Sequence, residues 1–208
     1  MALAPPSPYN RCGLGKVAID IGCGNRKHSG AFGVDIARLK TVDVLADVRL
    51  GLPFRDNSID VVYASHVLEH FEDLVRVLEE IWRVCRPGGR VHITVPHASS
   101  SYMLWRDPTH RRGILLSTLD YFDKTQMEGN MFQYYTPTNF RRVYARLRFV
   151  AGGSTGRYAG GRRLAVAIFT DLLEAVANSS KGAQRVCERW WGQMFGVAEA
   201  YVILEAVK

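Results

Sequence analysis

The chain has 208 residues, 47% of them hydrophobic and 23% charged, and a formal net charge of +7. That length and apolar content are enough to bury one full core, so a single domain spanning 1–208 is expected. Its four cysteines, Cys12, Cys23, Cys85 and Cys187, are scattered without a C-x-x-C pair, which excludes a zinc knuckle or a disulfide framework and leaves free thiols.

In chain order, the stretch from Met1 to Lys16 is broken by Pro5, Pro6, Pro8, Asn10 and Arg11, so it holds no apolar core of a signal peptide. No uncharged run reaches the roughly 18 residues of a membrane span. A soluble, cytoplasmic protein with an N-terminal extension over 1–15 is the expectation. Short runs rich in β-branched residues follow at Val17–Ile21, Phe32–Asp35, Val42–Leu45, Ile59–Ala64 and Arg90–Val95. Their continuous hydrophobicity suits parallel strands covered on both faces, an α/β pattern. Between the fourth and fifth runs Leu74, Val77, Leu78, Ile81 and Val84 share one helix face, and "RPGG" (Arg86–Gly89) ends that helix. A polar and aromatic segment over 97–135 comes next, then an expected helix over Thr136–Leu147 with Pro137 in its first turn, and a short run at Phe149–Ala151. A second insertion, 157–197, reads as two helices split at "NSSKG" over 163–196, and the strand-like "EAYVILEAV" closes the chain. Long segments leaving the carboxyl ends of strands commonly carry substrate contacts.

Charge is uneven. Residues 1–100 carry 12 basic and 11 acidic side chains, against 15 and 9 over 101–208. The excess lies between Arg141 and Arg163, where seven arginines (141, 142, 146, 148, 157, 162 and 163) occur without an acid. Such a run suits an anionic substrate, a nucleic acid or a membrane surface, or it is a solvated basic face.

The stretch "AIDIGCGNRKHSGAFGVDI" (Ala18–Ile36) sets a glycine turn between two strands. A dinucleotide fingerprint would need a third glycine where Lys27 stands and an acid about 20 residues on, whereas Asp35 comes too early. Asp20 at the lip of the turn would repel a pyrophosphate and favour a ligand with a positive group.

These residues resemble the class I S-adenosylmethionine (SAM)-dependent methyltransferases, in the subset called type 11 methyltransferase domains. "DIGCGN", "GVDI", "LADVRLGLPFRDNSIDVVYASHVLEH" and "RPGGRVHITVPH" are similar to that family's motifs, in its order and spacing, over roughly residues 15–97. The resemblance implies a Rossmann-like, doubly wound, mostly parallel seven-stranded sheet with helical insertions after strands 5 and 6, and SAM as cofactor with S-adenosylhomocysteine as product. It implies that Asp20, Gly22 and Gly24 pass under the methionine part of SAM. Asp35, with Ile36 beside it, would meet the ribose hydroxyls, Asp47 and Val48 the adenine, and Ser65, His66 and Leu68 the cofactor's other side. Ten residues, Gly22–Ala31, separate the first two strands, so the first crossover helix is expected to be a turn or two at most. This short crossover with a later D-P-T-H element resembles methyltransferases found alongside sugar and polysaccharide genes.

Methyl transfer is an in-line displacement that depends on aligning the acceptor and, for a hydroxyl or amine, on removing its proton. His97, Asp107 and His110, after the fifth strand, are the candidate catalytic residues, with Arg111 and Arg112 placed to engage an acceptor carboxylate or phosphate. A bland role for Asp107 is to cap a helix starting at Pro108. "HVLEH" (His66–His70) also matches the H-x-x-E-H zinc motif, but the methyltransferase pattern accounts for these residues and no metal is expected. Three function classes stand open: transfer of a methyl group to O or N of a small, anionic or sugar-like acceptor, an RNA methyltransferase using the arginine run, and a non-catalytic SAM-binding protein. The 163–196 helices could be a lid, a homodimer face or a membrane contact.

Overall fold

The computed structural model describes residues 15–126, 131, 134–149 and 161–208, with only the backbone of 161–167. The 1–14 part of the N-terminal extension, Cys12, and the arginine run beyond Arg148 up to 160 lie outside the described residues, as do the side chains of Arg162 and Arg163. The elements are β1 (Ala18–Ile21), β2 (Phe32–Asp35), β3 (Val44–Leu45), β4 (Ile59–Ser65), α1 (Leu74–Val84), β5 (Cys85–Pro96), α2 (Ser101–Trp105), α3 (Leu116–Asp120), β6 (Phe140–Arg148), α4 (Gly161–Ala177), α5 (Lys181–Val186), α6 (Gly192–Phe195) and β7 (Glu199–Ala206). A π-helical turn, Cys187–Trp191, joins α5 to α6.

One seven-stranded sheet runs in the order β3-β2-β1-β4-β5-β7-β6. All neighbours pair parallel except β7, which is antiparallel to both β5 and β6. This is the doubly wound architecture expected. The chain leaves β1 in one direction to build β2 and β3 and in the other to build β4 and β5, so the carboxyl ends of β1 and β4 flank the point where strand order reverses. Open α/β sheets bind ligands there.

The central strands are apolar because both faces are covered: all four residues of β1 are buried. α1 supplies one cover. Leu74, Val77, Leu78, Ile81 and Val84 are its buried residues, and the Asp73 carboxylate caps it by accepting from the Arg76 amide at 2.9 Å. The helix stops at Val84, and "RPGG" then forms an irregularity at the start of β5, where pairing slips between Ile59/Cys85 and Val61/Arg90.

Two expectations are corrected. No helix forms in the β1–β2 crossover. Side chains hold it instead: Asp20 Oδ2 accepts from His28 N at 2.8 Å, Asp43 Oδ2 from Gly33 N at 2.7 Å, and the His28 ring stacks on Tyr63 with centroids 4.1 Å apart. The expected helix over 136–147 is the edge strand β6. Phe140, Val143, Tyr144 and Leu147 have helical spacing, but the cause is a bulge. Register slips between Arg142 and Tyr144, so the buried positions change phase, from Phe140 and Arg142 before the bulge to Leu147 after it, and exposed Val143, the extra residue, completes a spacing that imitates a helix.

β6 also accounts for much of the arginine run. Arg142 is buried and pairs with buried Asp120 at 3.1 Å, Arg146 pairs with Glu174 at 3.1 Å, and Arg148 lies 3.9 Å from Glu199. Removing one partner of a buried pair strands the other's charge. Arg142→Ala should therefore destabilise the fold by roughly 3–5 kcal/mol, and Arg142→Met combined with Asp120→Leu should recover most of the loss. Urea unfolding midpoints measure both; an unchanged midpoint in the single variant would show that the pair supports nothing.

Candidate functional site

The carboxyl ends of β1, β2 and β4 enclose a cavity of about 300 Å³ lined by Gly22, Asp35, Ile36, Asp47, Val48 and His66, among others. Gly22 and Gly24 both have positive φ, 64° and 49°. At Gly22 a side chain is impossible for a second reason, since a Cβ there would run into Val67. Gly22 N donates to Val34 O at 2.8 Å, and Gly24 N to Asp35 Oδ2 at 2.9 Å. The Asp35 carboxylate also accepts from Ala37 N through Oδ1 at 2.9 Å. Two backbone bonds orient this carboxylate and leave it lone pairs for further donors, as two ribose hydroxyls would require.

Asp47 ends the strip beyond β3. Arg49 donates to it from its backbone and guanidinium at 2.6–3.0 Å and holds its carboxyl below the usual range. Ile36 is 66% exposed at the rim. With Val48 and Phe71 it gives the cavity apolar walls beside Asp47. A flat base with an exocyclic amino group matches that environment. The residues present therefore fit SAM at the adenosine end.

Other expected contacts fall elsewhere. Asp20 is 2% exposed, and desolvation lifts its pKa to about 6 against the pull of the His28 amide and Lys27. It shapes the loop from behind, and neither it nor Gly24 lines the cavity. Leu68 begins a 3₁₀ turn, Leu68–His70, and its side chain joins the apolar core, while its neighbour Val67 faces the cavity. Ser65, at the exposed end of β4, is also outside the lining.

Of the other three expected residues, His97 stands apart, while Asp107 Oδ2 and His110 Nε2 lie 3.8 Å from each other. His97 is wholly buried; its Nδ1 meets Ser99 Oγ and its Nε2 meets Glu188 Oε1, each at 2.9 Å, so both ring nitrogens are spent on packing β5 against the π turn. Asp107 caps no helix. It closes a turn by accepting from the Thr109 amide at 2.9 Å and the Thr109 hydroxyl at 2.6 Å. His110 packs edge-on against His70, with ring centroids 4.7 Å apart.

Sequence reasoning missed two buried acids. Glu69 and Glu199 flank His66, at 3.5 and 3.2 Å, and these carboxylates, Glu199 foremost, raise the His66 pKa to about 9. His66 has φ of 52°, a rare conformation for a side-chain-bearing residue, which turns its ring back between them. The available signals were the glutamate within H-x-x-E-H and an acid opening an otherwise apolar last strand.

Residues 19–93 match the family model described as a methyltransferase domain. Residues 19–93 thus carry a methyltransferase domain, consistent with the class I SAM-dependent methyltransferases. Over 97 residues it is 33% identical to a probable tRNA methyltransferase 9B of Mus musculus, covering 39% of this chain and 22% of that protein. Over 71 residues it is 39% identical to a glycine/sarcosine/dimethylglycine N-methyltransferase of Actinopolyspora halophila, covering 32% of this chain and 13% of that one. These matches thus span under a quarter of either relative. The crystal structure of a SAM dependent methyltransferase from Archaeoglobus fulgidus superposes with a TM-score of 0.56 at 18% identity, covering 91% of this chain and 86% of that one, which is a likeness of fold.

The pKa of Asp20 fixes a pH signature for the methyltransferase loop. Because the folded-state value is raised to about 6 from 3.8, its proton stabilises the fold fully below about 3.8, and that contribution is lost as pH rises through about 6. Asp20→Asn keeps an oxygen for His28 N–H and removes the buried charge. Relative to wild type, the variant should gain on the order of 1–3 kcal/mol between pH 4 and pH 7.5. Melting curves of both proteins across that range test it, and parallel profiles would refute it.

Proposed function

We propose that the protein transfers a methyl group from SAM to an oxygen or nitrogen of a small, anionic or sugar-like acceptor. The observation that carries the reading is the cavity at the strand-order reversal, with the Asp35 carboxylate anchored at one end and Asp47 at the other. SAM, when bound, supplies a methyl group already on a good leaving group, so the chain's task is to bind, orient and exclude water. Asp35 and Asp47 hold the adenosine portion, the Gly22 turn admits the methionine portion, and imidazolium His66 fixes positive charge on the facing wall.

For the acceptor, two features favour a small anion. The 97–126 segment and the α5–π region together enclose a second cavity of about 980 Å³, whose walls include Arg112, Tyr121, Arg185, Arg189 and Trp190. It begins at Leu74, three residues past the Phe71 that lines the cofactor cavity. Guanidinium groups beside aromatic faces suit carboxylate, phosphate or sugar ligands. The arginine run, in contrast, offers little to RNA in its described part, because Arg142, Arg146 and Arg148 are engaged by acids of the chain itself. Among the expected catalytic residues, His110 remains the one in contact with the His66–His70 wall.

Calorimetry with SAM, S-adenosylhomocysteine and NAD should show binding of the first two alone. Asp35→Ala should weaken SAM by roughly 1.5–3 kcal/mol for each charged hydrogen bond lost. A folded Asp35→Ala protein with the wild-type dissociation constant would sink the assignment. Radiolabel transfer from SAM to candidate anionic and sugar acceptors tests the activity itself; SAM binding with no acceptor methylated by the purified protein would leave the binding-only class standing.

A further inference from the structure

The acceptor-side wall contains a group of atoms suited to hold a cation. Glu69 is wholly buried, and neither of its carboxylate oxygens accepts a hydrogen bond. Its Oε1 stands 3.8 Å from His110 Nε2, and His70 contributes a third donor atom, all three lying within 4.8 Å of one another. The proton positions follow from the outer partners. His110 Nδ1 is 2.7 Å from Leu104 O, which can only accept, so a neutral His110 ring keeps its proton on Nδ1 and its lone pair on Nε2. The Thr109 hydroxyl gives its single proton to Asp107 Oδ1 at 2.6 Å, so it accepts from His70 Nδ1 at 3.0 Å, which leaves Nε2 of a neutral His70 ring as the ligand atom. His110 Nε2, a ring nitrogen of His70 and the Glu69 carboxylate thus face one another, with Asp107 Oδ2 also 3.8 Å from His110 Nε2. His66 offers Glu69 one N–H at 3.5 Å, while its other nitrogen is taken by Glu199. One such contact cannot satisfy a carboxylate with four lone-pair positions.

We propose that Glu69, His70 and His110 bind one divalent transition-metal ion, of the zinc class, beside the cofactor cavity. Two imidazoles and one carboxylate are the donor set of a zinc-type site that keeps a coordination position open. Its outer shell is already built: a backbone carbonyl orients His110, and the Asp107–Thr109 pair orients His70. The expectation that "HVLEH" holds no metal is replaced, and in a different form from the zinc motif it resembles. His66 is held by Glu199, the segment is a 3₁₀ turn, and the second histidine comes from D-P-T-H. The open position suits an oxygen of the acceptor, a hydroxyl, carboxylate or phosphate. The inference goes beyond the methyl-transfer reading and does not depend on it.

The test uses the full chain stripped with a chelator and titrated with Zn²⁺, and with Co²⁺ as a spectroscopic probe. One ion per chain is expected, with Mg²⁺ failing to compete. His70→Ala, His110→Ala and Glu69→Gln should each weaken Zn²⁺ binding at least roughly 100-fold, and Thr109→Val about 10–100-fold through loss of the outer partner. Circular dichroism checks folding; if Glu69→Gln does not fold, the half-buried His70→Ala carries the test. Stripped wild type that binds no Zn²⁺, or binding unchanged in both histidine variants, overturns the proposal. SAM calorimetry on the same stripped sample separates the readings: SAM binding without Zn²⁺ binding overturns the metal site alone, and the converse overturns the cofactor assignment alone.

Discussion

The cofactor cavity depends on carboxylates that hold backbone amides at the ends of parallel strands. A parallel crossover normally spends its amides in a helix. Between β1 and β2 there is none, and amides left without a backbone partner must find another acceptor. Within the crossover Asp20 takes the amide of His28 and Asp35 that of Gly24; Asp43 takes that of Gly33 in β2, and Asp35 also that of Ala37 beyond it. The Gly22 turn then passes close enough to β4 that Val67 occupies the space of a side chain. Asp35 serves twice, since the bonds that fix the loop also aim its free lone pairs at the cavity. Burial of Asp20 is the cost, visible in its raised pKa.

Where hydrophobic period follows local geometry, the sequence was readable. β2 has the residues expected, β1 and β4 differ by one residue at an end, and α1 buries the five apolar positions that share a face. Reading failed where tertiary contacts reset the period or the partner. Val143 is the extra residue of a bulge, so β6 imitated a helix. His97 follows β5 as a catalytic base would, yet Glu188, 91 positions away, claims its ring. Gly22, Asp35, Ile36, Asp47, Val48 and His66 line one cavity because they lie at or just past strand ends, whose geometry the strands themselves dictate. Asp20, Gly24, Ser65 and Leu68 lie one step off, where a residue supports the wall from behind or turns past it.

Charge shows the same limit. A run of arginines without an acid in sequence looks like a cationic surface, but β6 lies beside β7 and under α4, and these supply Glu199 and Glu174. Asp120 arrives from the segment after β5. Local net charge is a statement about potential only when the residues concerned share a surface, and an edge strand that alternates faces divides its charges between surface and core.

The molecule divides into two halves of different logic. Register across β1, β2 and β4 places the residues that line the cavity, and the family model covers that part, residues 19–93. The acceptor side is assembled from segments distant in sequence: a turn after β4, the D-P-T-H turn after β5, and β7. Its central members are buried polar groups in apolar surroundings, where an unmatched carboxylate is costly. Glu69 is buried with His66 3.5 Å away and no hydrogen bond to either carboxylate oxygen, where a hydrophobic residue would pack at no such cost. A fold tolerates that expense where the group has a ligand to meet, and the orientation of His70 and His110 by their outer partners gives the same direction. The proposed ion site would place the chemistry particular to this protein where the two turns converge on Glu69, beside the cavity formed by the strand ends.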